Sequence, residues 1–224
     1  MTRHPSRIAA VAIVVGVVVV VLGTARASSQ QPVALRPLDA KSPVTYFIAD
    51  GRGRTGVRPT DRQLAIWAFD AWQRSADERL RFIESSTEST AVVRLYWAEP
   101  SDGQYGEMQP FSAGGRPGAA VFIRPDMDSL GPDIARRTAL DPLLRDSIVY
   151  LTCVHELGHA LRLAHTSDFR DIMYFFGYGG DIAEYFGRYR AQLRSRKDIA
   201  AVSGLSNADV GRIRAIYDTR QDSP

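Results

Sequence analysis

In the run His155-Glu156-Leu157-Gly158-His159-Ala160-Leu161-Arg162-Leu163-Ala164-His165, the second histidine follows the first by four positions and the third follows the second by six. Residues i and i+4 of a helix share a face, so His155 and His159 can present both imidazoles to one ion. Six positions turn a helix by about 240°, at roughly 100° per residue. His165 therefore joins the pair only if the helix stops and the chain doubles back near Arg162–Leu163. Three imidazoles with a fourth, open tetrahedral position make a catalytic zinc site rather than a closed structural one. Glu156, next to His155, can touch a water on such an ion without being a ligand. The only other histidine is His4, so every histidine beyond the N-terminal segment lies in this motif.

The surrounding chain is of ordinary globular composition, with 224 residues, 45% hydrophobic and 24% charged, which excludes collagen-like, disordered and coiled-coil chains. Cys153 is the single cysteine, so a packed core or a bound metal must supply the stability that disulfides cannot. Residues 1–27 combine Arg3, His4 and Arg7, an uncharged run from Ile8 to Gly23, and Ala25-Arg26-Ala27. That is the pattern of a signal peptide cleaved after Ala27, with an uncleaved signal anchor as the alternative. Either way the domain is expected outside the cytoplasm, secreted or periplasmic, with membrane contact only if the leader is retained. The net charge of +3 comes from this leader: without Arg3, Arg7 and Arg26, the 28 basic residues fall to 25 and balance the 25 acidic ones. No nucleic-acid surface is expected from such a balance.

Residues 28–43, with Pro32, Pro37 and Pro43, read as a tether or short pro-segment, and the domain is expected over 44–218. Strands are expected at Val44–Ile48, Leu80–Ile83, Val92–Trp97 and Ala119–Ile123, with a short edge strand at Tyr105–Phe111. Thr60 or Asp61 caps a helix whose apolar face carries Leu64, Trp67, Ala68, Ala71 and Trp72. Asp141-Pro142 opens a helix running to about Arg162, and Asn207–Tyr217 forms the last one. The order β-α-β-β-β-β-α-α describes an α/β (α+β) domain with a mixed sheet of about five strands, expected to be a monomer.

HELGHALRLAH resembles the H-E-x-x-H-x-x-G-x-x-H signature of the metzincin zinc endopeptidases, most closely their matrixin branch. Asp171-Ile172-Met173-Tyr174 is similar to the Met-turn of that family and places Met173 eight positions after His165. The likeness extends over roughly 44–218 and is specific at 155–173. It implies a twisted-sheet zincin catalytic domain with one catalytic Zn2+ on His155, His159 and His165, and Met173 beneath. It also implies a polypeptide substrate lying extended along an edge strand, with Glu156 as general base; Tyr105–Phe111 is the candidate strand. Phe175, Phe176 and Tyr178 are candidates for the substrate-pocket wall. This chain departs from the family pattern by having Arg162 in place of glycine, Thr166 in place of serine and Phe175 in place of proline. A left-handed backbone at Arg162 costs roughly 1–2 kcal/mol, against zinc binding on the order of 10 kcal/mol. A tyrosine ligand after the methionine and a second, histidine-rich zinc site are not expected.

Cys153, two positions before His155, reads as a small buried side chain rather than a nucleophile or a latency switch. Asp39 is a candidate carboxylate for blocking the zinc. Asp126, Asp128 and Asp133 around Gly131 read as a solvated acidic loop, or as oxygens for Ca2+. Arg188, Arg190, Arg194, Arg196 and Lys197, interleaved with Tyr185, Phe186 and Tyr189, read as a basic solvated helix face, or as an attractor of acidic substrate or a polyanion. Two rival functions remain: a peptidase whose third ligand is Asp181 or Glu184, and an exported zinc-binding interaction module without turnover. Glu156 argues against the second, because a non-catalytic site needs no base.

Overall fold

Val44, Tyr46 and Ile48 are buried while Thr45 and Phe47 are only partly so, the period of two that sets one face of a strand on a core. The computed structural model describes residues 37–77, 79–99 and 105–218; the leader expected at 1–27 and the first part of the 28–43 stretch lie outside the described residues. Val44–Ile48 (β1), Phe82–Glu84 (β2), Val93–Trp97 (β3), Gly106–Ala113 (β4) and Arg116–Ile123 (β5) form one sheet in the order β2-β1-β3-β5-β4. All neighbours run parallel except β4, which is antiparallel to β5. The turn between them is Gly114-Gly115, with φ of 58° and 79°, the positive pair a two-residue hairpin loop demands. β4 is thereby left as an edge strand.

Five helices are described: α1 (Asp61–Ser75), α2 (Pro132–Leu140), α3 (Pro142–Ala160), α4 (Ile182–Arg190) and α5 (Asn207–Ile216). The Asp141 carboxylate accepts from the Leu143 and Leu144 amides and Pro142 takes the first turn of α3, so this helix starts where its sequence says it should. α1 packs on α3, with the Trp72 indole donating to the Val154 carbonyl at 2.9 Å. Arg145 of α3 is 2% exposed and pairs with the fully buried Asp61 at the start of α1, while its second arm donates to the Gly56 carbonyl at 2.7 Å. No described helix is long and apolar enough to cross a membrane.

The structure departs from expectation in several places. β2 begins at Phe82, where pairing with Val44 starts, and Leu80 is fully buried just ahead of it. β4 is shifted to Gly106–Ala113, and β5 starts at Arg116, lengthened by hairpin pairing. α2 and α4, nine residues each, add two helices to the expected order. α3 stops at Ala160, not Arg162. Trp67 is only partly buried and instead supports the Arg196 guanidinium at 5.1 Å from its ring. Leu38, in the stretch read as a tether, is buried, and its N–H donates to the Tyr217 hydroxyl at 3.3 Å.

Candidate metal centre

Beyond α3 the Leu163 amide donates to the Gly158 carbonyl and the Arg162 amide to the His159 carbonyl, both at 2.9 Å. These paired bonds are a Schellman ending, with Arg162 at φ 82° in the position glycine usually takes. The chain then returns alongside its own next segment: Thr166 N–H donates to the Met173 carbonyl at 2.8 Å and Phe175 N–H to the Thr166 carbonyl at 3.1 Å. The reversal required by the histidine spacing is therefore present, and it carries His165 back to the helix.

One ring nitrogen from each of His155, His159 and His165 lies within 4.8 Å of the others. His155 Nδ1 lies 2.7 Å from the Ile172 carbonyl and His159 Nδ1 2.9 Å from the Leu163 carbonyl. A carbonyl only accepts, so both Nδ1 atoms donate and both Nε2 atoms are left bare. His159 Nε2 and His165 Nε2 are 3.0 Å apart. Zinc–nitrogen bonds of about 2.05 Å in a tetrahedron set ligand atoms roughly 3.3 Å apart; the His159–His165 pair stands close to that spacing, and the third nitrogen is near enough to converge on the same ion. Burial pushes His155 down to about 3, the neighbouring imidazoles adding to the effect, and lowers His159 and His165 as well. Neutral imidazole is the form that binds metal.

Glu156 is 7% exposed. Burial, with a smaller push from Glu107, lifts its carboxyl to about 8; a cation alongside would pull it back down. β4 crosses directly against this carboxylate: a Cβ at Gly106 would stand 2.5 Å from Glu156 Oε1. Met173 is fully buried under α3, and a Cβ at Gly158 would come within 2.4 Å of its sulfur. The Tyr174 amide donates to the Asp171 carbonyl at 3.3 Å, closing the turn that presents Met173.

A cavity of about 450 Å³ opens over these groups, bounded by Tyr105–Met108 on the β4 side and by Phe176, Ile182, Tyr185 and Phe186 opposite. Phe175 lines it and stacks on His165 at 4.7 Å, with 43% of its surface exposed. Tyr178 stands outside the wall, edge-on to Phe175 at 5.5 Å and 66% exposed. Of the three expected wall residues, Phe175 and Phe176 line the cavity and Tyr178 does not.

Cys153 is fully buried, and burial raises its thiol. Asp39 is exposed and accepts from the Lys41 amide at 3.0 Å, away from the cavity wall. Asp181 caps α4 through the Ala183 and Glu184 amides, and neither Asp181 nor Glu184 joins the histidine cluster. Asp133 lies in α2 rather than in a loop, paired with Arg136 and Arg137, while Asp126 accepts from the Asp128 amide at 3.4 Å.

The basic stretch is largely consumed inside the fold. Arg188 donates to the Phe169 carbonyl at 2.6 Å, Arg190 pairs with Asp141 at 2.8 Å, and Arg196 pairs with Asp146 at 2.7 Å. Tyr185, Phe186 and Tyr189 are buried beneath them, leaving Arg194 and Lys197 exposed. Gly106, Tyr185 and Asp209 were not singled out by sequence for the roles they hold here. The helical spacing of the 185, 186 and 189 aromatics was the available signal that α4 is a wall.

Three neutral imidazoles converging beside a buried carboxylate, under a sheet edge, define a metallohydrolase-type centre. The matrixin family model matches residues 39–185, and the chain belongs to the matrixin family. It is accordingly a zinc metallopeptidase, with polypeptide as its substrate class. Among solved structures it is similar to archaemetzincin from Methanopyrus kandleri, at 13% identity over 81% of this chain and 98% of that one, with a TM-score of 0.41. It is also similar to myroilysin, at 14% identity over 80% of this chain and 75% of that one, with a TM-score of 0.36.

Proposed function

We propose that the protein is an exported zinc endopeptidase in which His155, His159 and His165 hold one Zn2+ and Glu156 is the general base. The observation that carries this reading is the convergence of three ring nitrogens within 4.8 Å, two of them with Nδ1 already spent on backbone carbonyls. A zinc ion held there supplies Lewis acidity toward the scissile carbonyl and the attacking water. Glu156 takes the proton from that water and passes it to the leaving amine. Burying a carboxylate without a task would be costly, and Glu156 is buried directly beside the histidine cluster under β4, which supports turnover over a binding-only module.

The free edge of β4 pairs with an extended substrate backbone by strand addition. Gly106 lets that edge approach Glu156, so a paired peptide passes over the base. Phe175 and Phe176 take a substrate side chain beside the scissile bond, with Tyr178 at the mouth. Met173 supports α3 from below. Export rests on the pattern at residues 1–27, and the domain over 44–218 works as a monomer.

The purified protein should carry about one zinc, lose casein hydrolysis to a chelator and regain it when zinc is restored. Glu156→Gln should keep the metal while kcat falls by about 10³-fold, within the range of general-base catalysis. Undiminished turnover in that variant would overturn the assignment of the base, and a wild type that takes up no zinc would overturn the centre.

A further inference from the structure

The backbone between Asp171 and Ile172 is gripped from several sides by groups outside the histidine motif. The Tyr185 hydroxyl donates to the Asp171 carbonyl at 2.9 Å and lies 3.3 Å from the Ile172 carbonyl. The Asp209 carboxylate accepts from the Ile172 amide at 2.9 Å. The Asp171 carboxylate accepts from the Ser206 hydroxyl at 2.6 Å and from Arg212 at 2.9 Å, and Arg212 also reaches Asp209 at 2.5 Å. Asp171 and Asp209 are 2% and 0% exposed, so two buried carboxylates share one guanidinium. The carbonyl held by this assembly, that of Ile172, is the one that receives His155 Nδ1 at 2.7 Å.

Tyr185 has a second face. Its ring lines the substrate cavity beside Phe176 and Phe186. Burial and the Asp209 carboxylate raise its phenol, which keeps the hydroxyl a donor. We propose that Tyr185 and Arg212 are positioning residues for the metal centre: they hold the Asp171–Ile172 backbone so that the Ile172 carbonyl orients His155, and the Tyr185 ring ties the cavity wall to that ligand. This rests on His155 being a metal ligand. An imidazole whose Nδ1–H direction is set presents Nε2 in a set direction, and losing such outer partners generally costs 10- to 100-fold in metal affinity or activity. A substrate side chain pressing on the Tyr185 ring bears on the same hydroxyl, so filling the cavity and seating the ligand are linked.

The test uses Tyr185→Phe, which keeps the ring and deletes the hydroxyl, and Arg212→Gln, at a partly exposed position. Zinc affinity by chelator competition, the visible bands of the Co2+-substituted protein, and kcat and KM on a fluorogenic peptide are compared with wild type. Tyr185→Phe should weaken zinc binding about tenfold, shift the cobalt bands and lower kcat about tenfold with KM within about twofold. Arg212→Gln should move the same readouts in the same direction. Ile182→Ala, on the same wall but with no bond to the turn, should change KM and leave zinc affinity unaltered. Wild-type zinc affinity and cobalt bands in both Tyr185→Phe and Arg212→Gln would overturn the proposal; if Tyr185→Phe does not fold, Arg212→Gln decides. A wild type that binds no zinc would instead overturn the centre, and this proposal with it.

Discussion

His155 and His159 stand on α3, half-buried, each with Nδ1 bonded to a backbone carbonyl, whereas His165 stands beyond the turn, exposed, with Phe175 stacked on its ring. The helical half receives its geometry from a regular backbone packed on α1 and seated on Met173. The returning half receives its geometry from a helix stop, a short backbone bridge to Tyr174 and one aromatic contact. A three-ligand centre of this kind thus combines two positions that secondary structure supplies with one that turn chemistry must supply. The two halves should respond differently to damage.

The largest effects come from the ligands. One ligand of four shares in a binding free energy on the order of 10 kcal/mol, so His155→Ala and His165→Ala should each weaken zinc binding by about a hundredfold, read by chelator competition. They should separate in the metal-free protein. His155→Ala removes the shorter of the two hydrogen bonds to the Ile172 carbonyl, leaving the Tyr185 hydroxyl at 3.3 Å, and opens space beneath the cavity. It should lower unfolding stability by about 1 kcal/mol, while His165→Ala, at an exposed position, should change it by less than about 0.5 kcal/mol. Equal losses in urea unfolding of the two metal-free variants would break the comparison.

The seat of the helical half is tested one step lower in magnitude. A Cβ on Gly158 would stand 2.4 Å from the Met173 sulfur and 3.1 Å from the Trp72 ring. Overpacking costs roughly 1–3 kcal/mol, and alanine returns about 1 kcal/mol of helix propensity. Gly158→Ala should therefore destabilise by about 1 kcal/mol in thermal unfolding and loosen zinc binding; a stabilised variant would mean that Met173 does not seat the helix.

These two halves also differ in how far the sequence disclosed them. The spacing of 155, 159 and 165 made the reversal legible because helical rotation is arithmetic, and Asp141-Pro142 marked the start of α3 by cap chemistry alone. The alternation in β1 and β3 was equally plain. The grip on the returning segment was not, because Tyr185, Asp209 and Arg212 reach it across 13 to 41 residues, and no local pattern announces such a partner. The same holds for Asp61 with Arg145, 84 residues apart. Charges at 188–197 were visible, but their partners Asp141 and Asp146 lay about 50 positions away, so a surface patch was expected where the fold has fasteners. α2 and α4 escaped because each is under three turns long and follows a glycine-rich or acidic loop.

The smallest expected effect lies at the junction of the halves. Arg162 holds φ at 82°, where a Cβ is strained by roughly 1–2 kcal/mol, and its buried Nε has no partner. Glycine removes that strain but gives the unfolded chain more freedom, at about 0.4–1 kcal/mol. Arg162→Gly should therefore stabilise the metal-free protein by about 0.5 kcal/mol, raising Tm by roughly 1–2 °C, while zinc affinity stays within about twofold. The two readouts divide the explanations. A Tm that falls would mean the arginine stem contributes packing against its surroundings that outweighs the backbone strain. A zinc affinity that rises with Tm would mean the strained turn had been displacing His165 from its best position, making the turn, not the helix, the part of the centre that limits metal binding.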